Sequence, residues 1–174
     1  KNINDFDNVE KIILPGVGAY KDFMKKLKNK HLDELIKIKI INKIPILGVC
    51  VGFQVLFSSS SEHGYTKGLE VFKGEFKNFI SVDKKLHVPH VGWNQCTYLH
   101  KNKLFDGVEN NSDFYFTHSY FTSLTKNKIV IAETNYKVNF VAAVGYENVY
   151  GVQFHPEKSQ SNGLKILKNF DERC

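Results

Sequence analysis

Residues Pro45-Ile46-Leu47-Gly48-Val49-Cys50-Val51-Gly52-Phe53-Gln54 constrain the fold more than any other stretch of this chain. A short apolar run, the pattern of a buried strand, leads into Gly-x-Cys-x-Gly, and a helical pattern follows. A strand that becomes a helix across so few residues must turn sharply. Glycines at 48 and 52 remove the side chains that would clash in such a turn. The pattern is a nucleophile elbow with cysteine at its apex, which calls for an α/β fold. A helix N-terminus aimed at the sulfur favours thiolate, so a lowered thiol pKa is expected at Cys50. The ordinary alternative is a buried structural cysteine, because free cysteines are usually core residues.

The rest of the chain agrees with an α/β reading. Lys11–Leu14 and Pro45–Val49 are strand-like, a helical pattern runs from Ala19 to Ile41, and another helix starts at Gly52–Phe57. Ser58–Ser61 reads as a loop. Strand-like segments then crowd together at Leu69–Phe72, Glu75–Ile80, Phe114–Thr117, Ile129–Glu133, Phe140–Gly145 and Tyr150–Phe154, and Asn162–Phe170 closes as a helix. Early alternation and later clustering predict an open, largely parallel sheet flanked by helices, with an antiparallel addition. With no internal repeat or boundary, residues 1–174 are expected to form one domain.

Composition narrows the function classes. The chain is 42% hydrophobic and 24% charged, ordinary for a globular protein. No apolar run approaches the roughly 20 residues that span a bilayer, and residues 1–20 carry no signal-peptide pattern. The three cysteines, Cys50, Cys96 and Cys174, have no disulfide spacing and read as free thiols of a reducing, cytoplasmic setting. The formal charge of +6 comes largely from lysines between Lys21 and Lys43, on a segment that reads as a solvated helix face. No basic stripe with interleaved aromatics supports nucleic-acid binding. No Gly-x-Gly-x-x-Gly or Walker run supports a nucleotide. His87 and His90 are three apart, but no Cys-x-x-Cys or His-x-x-x-His joins them, so no metal and no cofactor are expected.

A nucleophilic cysteine needs a base and an orienter. Tyr150–Phe154 is a strand followed by His155-Pro156-Glu157. Open α/β sheets bind ligands at such strand ends. If the segment is extended, alternation puts His155 and Glu157 on one side, and the proline keeps the preceding residue extended. A carboxylate beside imidazole fixes its tautomer and supports its cation. An oxyanion hole follows from the Val51 N–H and a second donor in Pro15-Gly16-Val17-Gly18, where Val17 and Gly18 are the candidates.

With these parts placed, the chain resembles the class I (triad) glutamine amidotransferases, most closely those serving imidazole glycerol phosphate synthase. The resemblance runs from about Lys11 to Phe170. It rests on Leu14-Pro-Gly-Val-Gly18, Gly48-Val-Cys-Val-Gly-Phe-Gln54 with Glu62 beyond, and Pro89-His-Val-Gly-Trp-Asn94. Tyr115-Phe-Thr-His-Ser-Tyr120 and Gly151-Val-Gln-Phe-His-Pro-Glu-Lys-Ser159 complete it. It implies a flavodoxin-like sheet and a reaction in which Cys50 attacks the side-chain amide of glutamine. His155 then moves the proton, Glu157 orients His155, and water releases glutamate. It also implies that Gly16, Gly52, Gln54, Glu62, His118, Ser119 and Tyr120 surround the glutamine.

In this family the ammonia passes to a (β/α)8-barrel cyclase subunit, forming a heterodimer that makes imidazole glycerol phosphate and AICAR. The resemblance places Pro89, Trp93 and Lys158 at that interface and makes Gly16-Val17-Gly18 the switch of a glutaminase activated by its partner. The chain departs from the family in lacking its opening strand with an Asp-Tyr-Gly-x-Gly-Asn run, so a fragment truncated at the N-terminus is expected. Three other readings stay open on sequence. One is a paralogue feeding ammonia to another acceptor such as a bacterial surface sugar. The others are a degenerate partner-binding subunit and a thiol hydrolase acting alone.

Overall fold

The computed structural model describes residues 8–124 and 127–174; residues 1–7 of the polar lead lie outside the described residues. Strand β1 (Ile12–Gly16) leads to helices α1 (Tyr20–Asn29) and α2 (Leu32–Ile41). Strand β2 (Ile46–Cys50) then passes directly into the one-turn helix α3 (Val51–Gln54). The remaining strands are β3 (Ser59–Ser60), β4 (Thr66–Lys67), β5 (Glu75–Asn78), β6 (His90–Tyr98), β7 (Ser112–His118), β8 (Tyr120–Phe121), β9 (Val130–Asn135), β10 (Asn139–Tyr146) and β11 (Val149–Val152). A 3-10 turn at Pro156–Lys158 and helix α4 (Gln160–Arg173) complete the described chain.

Seven strands form one sheet in the order β1-β2-β11-β10-β9-β6-β7. The parallel part is the β1–β2–β11 end, and every ladder from β11 through β10, β9 and β6 to β7 is antiparallel. The sheet is therefore mixed rather than largely parallel, and the antiparallel addition is its larger part. Gly16 pairs with Cys50 and Val152 with Val49, so β1, β2 and β11 end along one edge. That shared edge carries the Pro15–Gly18 loop, the elbow and the His-Pro-Glu turn.

Local sequence explains most elements, and competition for hydrogen bonds explains the exceptions. Strand β2 is buried along its whole length, as its continuous apolar run requires. The helical pattern from Ala19 to Ile41 is two helices. His31 adopts left-handed geometry (φ 53°), and Lys30 and His31 donate to Leu27 and Lys28 carbonyls, ending α1. Helix α3 stops after four residues because the carbonyls of Val55, Leu56, Phe57 and Ser58 accept from the returning 68–72 segment. The same bonds explain why Leu69–Phe72, expected as a strand, is not one. Ser59–Ser60, expected as loop, is a buried strand of a second sheet ordered β4-β3-β5-β8.

The core beneath the elbow is aromatic. Phe53 and Phe57 meet at 5.1 Å, and both meet Phe76, in edge-to-face contacts. On the other side of the sheet Phe154 stacks on Phe114 at 4.1 Å. Both rings are fully buried, which fixes the segment immediately before His155.

Candidate active site

The elbow forms as the glycines require. Cys50 has φ 53° and ψ −111°. Such a conformation is rarely held by a side-chain-bearing residue and is of the kind stored at functional sites. A Cβ at Gly52 would lie 1.7 Å from the Leu14 carbonyl oxygen, so α3 can sit against β1 only with glycine there. A Cβ at Gly48 would lie 2.6 Å from the Gly52 carbonyl oxygen. Gly16 and Gly52, expected around the glutamine, are packing positions under the elbow and are not among the residues that line its cavity.

Cys50 opens into a cavity of about 270 Å³. Val17, Gly18, Val51, Gln54 and Glu62 line it. His118, Ser119, Tyr120, His155 and Lys158 line it too, with Thr117 and Pro89. Most of the residues singled out from sequence thus converge. Pro89 lines the cavity itself. Trp93 is not at the cavity; it is 48% exposed on β6, which rules out a core role, and meets Tyr115 edge-to-face at 5.9 Å. The Lys158 ammonium lies 5.7 Å from the centre of the same Tyr115 ring, a cation–π contact.

His155 Nδ1 lies 2.7 Å from Glu157 Oε1. A carboxylate accepts, so Nδ1 carries a proton, and in the neutral ring Nε2 keeps its lone pair. Nε2 is buried and has no hydrogen-bond partner among the described residues. That is the state a general base requires. The geometry differs from the expected extended-segment alternation: His155 is extended, but Pro156 opens a 3-10 turn that places Glu157 against Nδ1.

The thiol is not poised as thiolate. Burial raises the Cys50 pKa to about 12, outweighing the lowering from the Val51 N–H; Glu157 and Glu62 raise it further and Lys158 lowers it. The expectation of a depressed pKa fails because a one-turn helix supplies little dipole, while the desolvation of a 4%-exposed cysteine is large.

Sequence reasoning passed over two supporting residues. Gln153, fully buried, accepts from Gln54 Nε2 at 3.1 Å and offers its own Nε2 to Cys50 Sγ at 3.9 Å. Ser159 Oγ donates to the His155 carbonyl at 2.6 Å and accepts from the Tyr115 N–H at 2.9 Å, locking the turn to β7. Both lie in the 151–159 motif, so position there was the available signal. Glu62 Oε2 accepts from the Tyr20 N–H. Among the described residues no group of three or more His, Cys, Asp or Glu side chains converges as a metal site; His87 is exposed, and His90 turns inward to His118.

Residues 2–173 match the family described as glutamine amidotransferase class-I. The chain belongs to the class-I glutamine amidotransferases. This amidotransferase is 45% identical over 173 residues to "Imidazole glycerol phosphate synthase subunit HisH" of Leptospira borgpetersenii, covering 98% of this chain and 84% of the relative. It is 43% identical over 161 residues to the protein of that name in Moorella thermoacetica, covering 92% and 75%. Solved structures share the amidotransferase's fold at lower identity. The PurLQS structure from Thermotoga maritima superposes with TM-score 0.71 at 18% identity, covering 95% of this chain and 80% of that one. The glutaminase domain of Trypanosoma brucei CTPS, solved with bound acivicin, gives 0.62 at 16%, covering 99% and 75%.

Proposed function

We propose that this chain is the glutaminase subunit of an imidazole glycerol phosphate synthase in histidine biosynthesis. It hydrolyses glutamine through a thioester on Cys50. The ammonia goes to a (β/α)8-barrel cyclase subunit, which makes imidazole glycerol phosphate and AICAR. The observation that carries the reading is the open Nε2 of His155, held by Glu157, in the cavity that also contains the Cys50 elbow. Relatives named as subunits of that synthase supply the acceptor. The chain is read as one amidotransferase domain acting in the cytoplasm; no helix among the described residues is long and apolar enough to cross a membrane.

The protein's own groups account for each proton. In the resting site Cys50 holds its proton. As sulfur attacks the amide carbon, Nε2 of His155 takes that proton, and Glu157 stabilises the imidazolium. The Val51 N–H and a donor from Val17 or Gly18 hold the oxyanion. Collapse of the intermediate expels ammonia, which leaves with the proton from Nε2. Water then attacks the thioester while Nε2 accepts its proton; the C–S bond breaks, Nε2 returns that proton to the Cys50 sulfur, and glutamate departs. Glu62 offers a carboxylate to the substrate ammonium, and Gln54, Ser119 and Tyr120 offer polar groups to the rest of the amino-acid end. Exposed Trp93 has the character of an interface anchor.

The test is glutamate release from glutamine with and without a cognate barrel subunit, for wild type and Cys50→Ala. The reading requires release that Cys50→Ala abolishes and the partner increases. Equal release by both proteins removes the catalytic assignment; full activity without a partner removes the subunit assignment.

A further inference from the structure

We propose that His90, on β6, is a positioning residue for this cavity: it fixes the tautomer of His118 and so holds the His118–Ser119–Tyr120 wall. The proposal rests on reading the cavity as the glutamine site.

His90 and His118 are register partners on β6 and β7, and both are buried. Their protons can be assigned one after another. His118 Nδ1 lies 2.8 Å from the Tyr120 carbonyl oxygen. A carbonyl only accepts, so Nδ1 is the protonated nitrogen, and in a neutral ring Nε2 is then an acceptor. His118 Nε2 lies 3.3 Å from His90 Nδ1, which must therefore donate. His90 Nε2 is left as an acceptor, and Asn94 Nδ2 stands 3.2 Å from it. The Asn94 amide is itself oriented: its Oδ1 accepts from the Gln95 N–H at 2.9 Å, and its Nδ2 also donates to the Asn135 carbonyl at 2.9 Å. The run Asn94 to His90 to His118 to Tyr120 thus has one direction and no spare proton.

Its surroundings keep both rings neutral. Phe116 and Tyr136 stack on His90 at 5.2 and 4.2 Å, and Phe79 and Phe140 close the cage around both histidines. Burial lowers His90 to about 4 and His118 to about 3, well below the ordinary histidine range. A charged His118 would set two N–H donors against each other at His90. It would also place a cation near the His155 ring, which takes up a proton during the reaction, and coupling to that ring disfavours charge on His118. Without the His90 donor, His118 is free to take the other tautomer and release the Tyr120 carbonyl, loosening the wall. Low dielectric makes each link in such a run matter more than it would in water.

The test uses the full chain with 15N-labelled histidine at neutral pH. Long-range proton–nitrogen spectra should show His118 and His90 both protonated at Nδ1 and bare at Nε2. Two variants separate positioning from filling. His90→Asn puts an amide nitrogen where Nδ1 stands, and His90→Leu removes the donor. The leucine variant should mix His118 tautomers and raise KM for glutamine on the order of ten- to a hundredfold, with kcat changed less, as expected for losing one buried hydrogen bond. The asparagine variant should keep the tautomer and most of the affinity. A proton on His118 Nε2 in wild type, or equal loss of affinity in both variants, overturns the proposal. The spectra judge it even if the chain hydrolyses no glutamine, so its failure is distinct from failure of the functional reading.

Discussion

Glu62 Oε2 lies 2.6 Å from the backbone nitrogen of Tyr20, so the carboxylate that lines the cavity also closes the first turn of α1. Ala19 at the helix start has no capping side chain, and Glu62 reaches it from far along the sequence. The loop ending at Gly18 is thereby tied to the residue proposed to meet the substrate ammonium. Glu62→Gln keeps an acceptor for the N–H but loses the charge. It should stay within about 0.5 kcal/mol of wild-type stability and raise KM for glutamine about tenfold or more, whereas Glu62→Ala should also lose about 1 kcal/mol. Denaturant melts and steady-state kinetics on both variants check this. Unchanged KM in Glu62→Gln would remove the residue from the substrate site.

The Nδ1–Oε1 bond between His155 and Glu157 sets the tautomer that leaves Nε2 bare. Glu157→Gln can donate its amide to Nδ1 and so move the ring proton to Nε2. Glutaminase kcat should fall on the order of 10²- to 10⁴-fold, as for the equivalent change in a serine triad. Stability should barely move, since the Glu157 side chain is 53% exposed. A fall of less than threefold in kcat would show that Glu157 is not the orienter.

Gly52→Ala would press a methyl into the Leu14 carbonyl. The cost should be at least the about 1–3 kcal/mol of ordinary overpacking, because backbone rather than a pliable side chain is the obstacle. Activity should fall with it, since α3 must move and carry Cys50 away. A melting temperature equal to wild type would contradict the packing described for the elbow.

How far the sequence carried depends on how local each feature is. The elbow is read from consecutive residues because strand, turn glycines and helix follow one another there, and Gly48 answers a contact with Gly52 only four residues on; the contact of Gly52 with the Leu14 carbonyl on β1 is not local. His155 and Glu157 are legible from their spacing in sequence, although a 3-10 turn rather than an extended segment brings them together. Strand β6 was missed because His90, Asn94, Gln95 and Thr97 hide its alternation, and its pairing with β7 is what makes it a strand. Gln153 and Ser159 escaped because their partners sit on other elements: Gln54 and Cys50 for one, Tyr115 on β7 for the other. Burial of Cys50, and with it the direction of its pKa, depends on the whole aromatic core and has no local signature.

That direction is measurable. With its pKa raised from 9.0 to about 12, Cys50 favours the protonated form in the folded protein. The stabilisation relative to the unfolded chain is therefore present below pH 9.0 and is lost as pH rises toward about 12. Iodoacetamide alkylation of Cys50, followed by peptide mapping in the absence of glutamine, should accelerate about tenfold per pH unit from 7 to 11 without a plateau. A plateau near pH 7 would mean a resting thiolate, and His155 would then have no proton to take.

The most direct measurement is a rapid acid quench of the full chain turning over glutamine with its barrel partner, followed by mass analysis of its peptides. A glutamyl thioester on the peptide carrying Cys50, absent in Cys50→Ala together with glutamate release, is the predicted result. Glutamate released at the wild-type rate by Cys50→Ala, or a glutamyl adduct on another residue, would contradict it.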